Sequence, residues 1–142
     1  MTKLDPGPRP LWTGFLDSAR NFPDRPAIQV EGREVTYHGL AEKALRLAAT
    51  LQDVNLGEES LTAVFAYRSE TSFAAVLGAL LAGGGYVPLN RTFPVDRTRL
   101  MLTRSRCRAL VVDKGSETQL DYLLMGIDYP LLINCPDRAD TT

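Results

Sequence analysis

Apolar positions along the chain follow two rhythms that meet near residue 60. In the first part the spacing is helical. Leu11, Phe15 and Leu16 share one face of a short helix predicted to start near Pro10. Asn21-Phe22-Pro23-Asp24 ends it, because a residue before proline avoids helical backbone. Ala27–Val30 and Glu34–Tyr37 alternate like two strands of a small hairpin around Glu31-Gly32-Arg33. Leu40, Ala44, Leu47, Ala48 and Leu51 then draw a stripe along a second helix. Thr36 is its expected N-cap, and Gly39 stands where a capping-box glutamate would be, which leaves the box incomplete.

After residue 60, short buried-strand patterns alternate with helical ones. Strands are predicted at Leu61–Ala66, Tyr86–Leu89, Ala109–Val112 and Leu131–Ile133. Helices are predicted at Ser69–Ala82, Pro94–Arg104 and Ser116–Leu124, the last with a capping box from Ser116 to Gln119. Such alternation predicts an α/β fold: a mainly parallel sheet flanked by helices, with the small β-hairpin at its N-terminal end. The helix at 69–82 has a bulky face (Phe73, Val76, Leu77, Leu80, Leu81) and a small one (Ala74, Ala75, Gly78, Ala79, Ala82). Apolar nearly all round, it should be buried on most sides, by tight packing here or by more protein around it. Residues 1–9, with Pro6 and Pro8, read as a flexible leading segment before a domain spanning 10–142.

Composition narrows the function classes. The 142 residues are 44% hydrophobic and 23% charged, ordinary for a soluble domain, and the formal net charge is −1. That balance gives no general pull toward nucleic acid or anionic lipid, so neither is expected as a partner. The N-terminus shows no secretory pattern and the longest apolar run, Phe73–Leu81, is too short to span a bilayer, so a cytoplasmic protein is expected. Cys107 and Cys135 lack metal-type spacing and read as idle thiols. Asn90-Arg91-Thr92 is a glycosylation sequon only in form.

Candidate chemistry is sparse. Gly83-Gly84-Gly85 invites a phosphate-binding reading, but a dinucleotide loop runs strand, glycines, helix, and here a helix precedes and a strand follows. A helix C-cap and tight turn fits that order. His38 is the single histidine and has no visible partner set. Glu58-Glu59 and Asp137 to Asp140 are carboxylates in loops without acid–base spacing. Arg91, Arg97, Arg99, Arg104, Arg106 and Arg108 form a basic cluster without interleaved aromatics, which reads as a solvated face with structural ion pairs. No metal site and no catalytic residue is expected within the chain.

Two stretches resemble core motifs of one family. Arg33-Glu34-Val35-Thr36-Tyr37-His38-Gly39-Leu40-Ala41 resembles the (L/V)-T-Y-x-E-L run of amino-acid adenylation domains. Ala75 through Arg97, which contains Gly83-Gly84-Gly85-Tyr86-Val87-Pro88-Leu89-Asn90-Arg91 and Pro94-Val95-Asp96-Arg97, resembles their L-K-A-G-G-A-Y-V-P-L-D-P-x-Y-P-x-x-R run. Phe22-Pro23-Asp24-Arg25-Pro26-Ala27 and Ala109-Leu110-Val111-Val112 agree in order and spacing. The family is the adenylate-forming superfamily: peptide-synthetase adenylation domains, acyl-CoA synthetases and luciferases.

The resemblance implies the N-terminal subdomain of an adenylate-forming fold, inactive by itself. The parent reaction it implies uses ATP, with Mg implied for the full-length enzyme, to activate a carboxylic acid as acyl-AMP for transfer to a carrier-protein phosphopantetheine or to CoA. Its partner would be the remainder of the adenylation domain, since the Ser/Thr/Gly-rich phosphate loop is not found before Thr142. Thr36, Tyr37, Gly83, Gly84, Gly85, Tyr86, Pro88, Leu89, Pro94 and Arg97 match as scaffold positions, and no catalytic, cofactor-binding or metal residue carries over. Gly39, Leu81 and Asn90-Arg91 depart from the pattern. Two other readings stand beside this one. A stand-alone α/β module could bind an anion at Tyr67, Arg68, Ser69 and Thr71. An interaction piece could be completed by a second chain.

Overall fold

The computed structural model describes residues 10–54 and 60–138. The leading segment 1–9, Glu58, Glu59 and Asp140 therefore lie outside the described residues. Helix α1 (Thr13–Asn21) begins three residues later than Pro10. Strands β1 (Pro26–Val30) and β2 (Arg33–Thr36) pair antiparallel around a two-residue turn, Glu31 and Gly32, both with positive φ. That turn twists in the sense hairpins require, which is why Arg33 already belongs to the second strand. Tyr37 leaves the predicted strand and opens α2 (Tyr37–Val54). Thr36 Oγ1 accepts the Gly39 amide at 3.1 Å, so the cap forms, and Gly39 has no side chain to close the box.

Then come β3 (Leu61–Phe65), α3 (Glu70–Leu81), β4 (Gly85–Leu89), α4 (Val95–Ser105), β5 (Ala109–Val112), a 3₁₀ segment (Lys114–Gln119), α5 (Leu120–Leu124) and β6 (Leu132–Asn134). The four strands β3 to β6 form one parallel sheet in the order β4-β3-β5-β6. Alternate residues of β3 and β5 feed opposite faces. Val64 and Val111 pack with Leu40, Leu47, Ala74 and Ala75 of α2 and α3. Ala63, Phe65, Leu110 and Val112 pack with Leu102 of α4 and Leu123 of α5.

The predicted helix at 116–124 is corrected. Ser116 does not cap it with Gln119. The Asp113 carboxylate accepts the Ser116 amide at 3.0 Å and starts a 3₁₀ turn instead, and helical hydrogen bonding begins only at Leu120. A stronger acceptor three residues before the predicted start wins the free amides. The Ser116 hydroxyl is buried without a partner.

The small face of α3 answers the question its sequence posed. Thr71, Ala74, Ala75, Gly78 and Ala79 are its buried residues; Ala74, Ala75 and Gly78 lie against α2, and Ala79 packs with Leu51. The bulky side is only partly covered, and Phe73 remains 43% exposed.

Candidate functional site

The sheet reverses its winding between β3 and β5. From β3 the chain runs into α3 on one face, and from the adjacent β5 it runs into α5 on the other. Ligands of open α/β sheets sit beyond the carboxyl ends of strands at such a reversal. A cleft of about 550 Å³ lies there, lined by Arg33, Lys43, Tyr67, Arg91, Asp113 and Asp137 among others.

Its interior is largely committed to itself. Asp113 follows β5 directly and is 2% exposed. One of its oxygens accepts the Tyr67 amide at 3.0 Å and the Ser69 hydroxyl at 2.7 Å. The other accepts the Ser116 amide. Ser69 also caps α3 reciprocally with Ser72, each side chain accepting the other's amide at 3.1 Å. The helix N-terminus that could have gripped an external anion thus holds the protein's own carboxylate nearby.

Asp137, three residues past β6, ties three further elements together. It accepts Thr71 Oγ1 at 2.5 Å and the Lys114 amide at 3.0 Å, and pairs with Lys43 Nζ at 3.4 Å. Burial alone would raise its carboxyl; the bonds from Thr71 and Lys114 and the Lys43 ammonium outweigh that and hold it below the usual carboxylate range. At the rim, the Tyr67 ring carries two guanidinium groups, Arg68 at 5.1 Å and Arg91 at 5.5 Å.

The glycine run forms a helix stop. Gly83, with φ +88°, donates to Leu80 O at 3.0 Å, and Gly84 donates to Ala79 O at 3.1 Å, which together make a Schellman motif. A Cβ on Gly84 would stand 2.3 Å from the Ser60 carbonyl oxygen, so that position admits only glycine. Gly85 then enters β4 by donating to Ser60 O at 3.2 Å, followed by exposed Tyr86 and Pro88 and buried Leu89. Where the family pattern has Asp-Pro, Asn90 turns the chain by accepting the Thr92 amide at 2.9 Å. Pro94 opens α4, and the Arg97 guanidinium lies 4.9 Å from the Phe93 ring centroid. Thr36 and Tyr37 sit at the hairpin-to-helix junction, where the Tyr37 amide donates to Arg25 O at 2.9 Å.

The other candidates disperse. Of the basic cluster, Arg91 faces the cleft, Arg99 pairs with Asp96 at 2.9 Å and donates to the Tyr122 and Leu123 carbonyls, and Arg104, Arg106 and Arg108 are exposed. The His38 side chain is exposed and lies 3.8 Å from Glu42. Among the described residues, no group of three or more His, Cys, Asp or Glu is placed to hold a metal ion. Both Asp113 oxygens are taken by amide and hydroxyl donors, and no chemical step is assigned to the cleft. Asp113, Asp137 and Lys43 were not singled out as a set by their sequence. The available signal was position: a polar residue just past a buried parallel strand falls at the carboxyl edge of the sheet.

The AMP-binding enzyme family model matches residues 15–130. The chain belongs to the AMP-binding enzyme family. One relative, surfactin synthase subunit 1 of Bacillus subtilis, is 38% identical over 117 residues, which are 80% of this chain and 3% of that protein. The crystal structure of IdnL7 superposes with TM-score 0.81 at 31% identity, covering 91% of this chain and 25% of IdnL7. The nonribosomal peptide synthetase FmoA3, solved with α-methyl-L-serine-AMP bound, matches with TM-score 0.74 at 26% identity over 85% of this chain and 13% of that one. The chain thus spans a small part of the length of the relatives it matches.

Proposed function

We propose that this chain is the N-terminal scaffold subdomain of an adenylation domain that activates an amino acid. In the parent reaction a carboxylate oxygen attacks the α-phosphorus of ATP. An O–P bond forms, the bond to the β-phosphate breaks, and pyrophosphate leaves. The acyl group then passes from AMP to a thiol on a carrier-protein phosphopantetheine or CoA. The observation that carries this reading is the 38% identity to a surfactin synthase subunit across 80% of the chain. The solved relative holding an aminoacyl-adenylate supports the amino-acid class of substrate.

Within that reaction the residues of this chain hold shape. Thr36, Tyr37, Gly83, Gly84, Gly85, Tyr86, Pro88, Leu89, Pro94 and Arg97 turn the chain, stop helices and pack rings, and the ATP and magnesium contacts belong to segments other than this one. A cytoplasmic site of action suits such a ligase. No helix among the described residues is long and apolar enough to cross a membrane.

Amino-acid-dependent ATP–pyrophosphate exchange tests both halves. The complete gene product is expected to exchange label with at least one amino acid, and the 142-residue chain with none. Exchange by the 142 residues alone would overturn the scaffold role. A folded complete product inert toward every amino acid tried would overturn the activity.

A further inference from the structure

The amino-terminal end of the parallel sheet, opposite the cleft, carries a second groove. It measures about 740 Å³ and is lined by Arg106, Arg108, Tyr129, Pro130, Leu131 and Leu132. The backbone beneath it is fixed. Arg108 N donates to Leu61 O at 3.3 Å and Leu132 N donates to Arg108 O at 2.9 Å, which locks Arg108 between β3 and β6 at the entry to β5. The Tyr129 hydroxyl donates to Leu102 O at 3.2 Å and holds its ring as one wall. Pro130, Leu131 and Leu132 supply apolar surface.

Charge at this end is one-sided. Arg104, Arg106 and Arg108 are exposed, and among the described residues none of them forms an ion pair, whereas Arg33, Lys43, Arg46, Arg99 and Arg138 all do. Asp128, next to Tyr129 in the chain, is exposed and pairs with none of the three. The carbonyl end of α4 accounts for Arg104, which lies in the last helical turn. It does not account for Arg106 and Arg108, which follow the helix. Arg106 stands in left-handed backbone at the C-cap, with φ 51° and ψ 42°, where glycine is the unstrained choice. A guanidinium is thus kept where backbone energetics disfavours any side chain. Between them Cys107 is fully buried, while both of its neighbours point their charge to solvent.

We infer that this groove is a docking surface for an acidic segment of a partner polypeptide. Its carboxylates meet the three guanidinium groups, and its apolar side chains lie on Pro130, Leu131 and Leu132 beside the Tyr129 ring. Charge complementarity sets the sign of the occupant, because three unpaired cations gather here on a chain of net charge −1. The apolar floor selects a peptide over a lone anion. A phosphate would also lack the amide donors of a helix N-terminus, since α4 turns its carbonyl end this way. Nucleic acid would call for several stacking rings along a longer basic track, and this groove offers one ring. The groove and the cleft lie at opposite ends of the strands, so the inference does not depend on the adenylation reading.

Fluorescence anisotropy tests it, with a fluorescein-labelled peptide of Asp-Leu-Asp-Gly repeats titrated with the complete gene product. Saturable binding is expected, and at least about tenfold weaker binding to the variant carrying Arg104→Gln, Arg106→Gln and Arg108→Gln. Arg106→Gly alone separates docking from folding. It is expected to melt no lower than the parent, because glycine relieves the left-handed backbone, and yet to bind at least about threefold more weakly. Absence of binding overturns the inference, as does equal affinity for the parent and the triple variant. Displacement of the peptide by inorganic phosphate, but not by chloride at the same ionic strength, assigns a small-anion site and overturns it. An oligothymidylate bound more tightly than the peptide overturns it in favour of nucleic acid. Tighter peptide binding once Glu58→Gln and Glu59→Gln are introduced assigns the three arginines to the chain's own acidic pair and also overturns it.

Discussion

Gly78 of α3 lies so close to Leu47 of α2 that a Cβ at position 78 would stand 2.9 Å from the Leu47 Cβ and 3.1 Å from the Ala44 carbonyl oxygen. One of those contacts is backbone, which cannot swing aside, so the two helix axes would have to separate. Gly78→Val is expected to destabilise the chain by about 3 kcal/mol, at the upper end for overpacking a core. Gly78→Ala should cost less, because alanine gains about 1 kcal/mol of helix propensity over glycine. Urea denaturation monitored by circular dichroism measures both. Equal stability for Gly78→Val and the parent would contradict the close approach.

The three glycines of the turn should separate by cause. Gly84→Ala forces a Cβ against a backbone oxygen and is expected to cost about 3 kcal/mol, through movement of Ser60 or loss of the Schellman bonds. Gly83→Ala meets no atom but must hold φ at +88°, and is expected to cost about 1 kcal/mol. Gly85→Ala meets only the flexible end of Leu61 and should be the mildest. The same denaturation series ranks them, and a reversed order of Gly83 and Gly84 would refute the assignment.

Asp113 joins the ends of β3 and β5 through three donors. Asp113→Ala leaves the Tyr67 amide, the Ser69 hydroxyl and the Ser116 amide without this acceptor, and is expected to cost about 3 kcal/mol. Amide exchange at Tyr67 and Ser116 should accelerate together. Acceleration at only one would mean the carboxylate does not couple the two strand ends.

Asp137 predicts an acid-sensitive clasp. Its folded carboxyl titrates below the usual range, so the charged form is favoured by folding. The stabilisation is fully present above the unfolded value of about 3.9 and is lost as pH falls through the lower folded value. Asp137→Asn should therefore flatten the acid limb of a stability-against-pH curve below about pH 4 while leaving its neutral part offset by a constant. An unchanged acid limb would show that other carboxylates set it.

The thiols should differ in access. Burial pushes Cys107 up, against the lowering bond from Ser105, and the side chain is fully buried. Cys135 is also raised by burial, with Glu117 adding to it, but is partly exposed. Iodoacetamide at pH 8 is expected to label Cys135 slowly and Cys107 only after denaturation, read by mass spectrometry. Prior labelling at Cys107 would place it nearer the surface.

Much of the fold was legible because period and burial agree. The Leu40 to Leu51 stripe became the buried face of α2, and the apolar run at 109–112 became a strand buried on both faces. The stretch at 114–124 misled because its local pattern, a serine three residues ahead of a glutamine, is outcompeted by Asp113, whose second oxygen is drawn in from Tyr67 and Ser69 across the sheet. Such an acceptor is visible in the local sequence only as one more polar residue. The cleft was hidden for the same reason: Lys43 and Thr71 lie 94 and 66 residues from Asp137 along the chain, and nothing local announces the meeting. The glycine run, by contrast, was readable from order alone, since a stop needs only its own helix.

The inward commitment of Asp113 and Asp137 has a bearing on engineering. A segment whose polar groups answer chiefly to one another keeps its local shape with little help from elsewhere. Exchanging the stretch from the hairpin to β6 between family members should therefore show first in folding yield and thermal tolerance, the two readouts by which such a swap is judged.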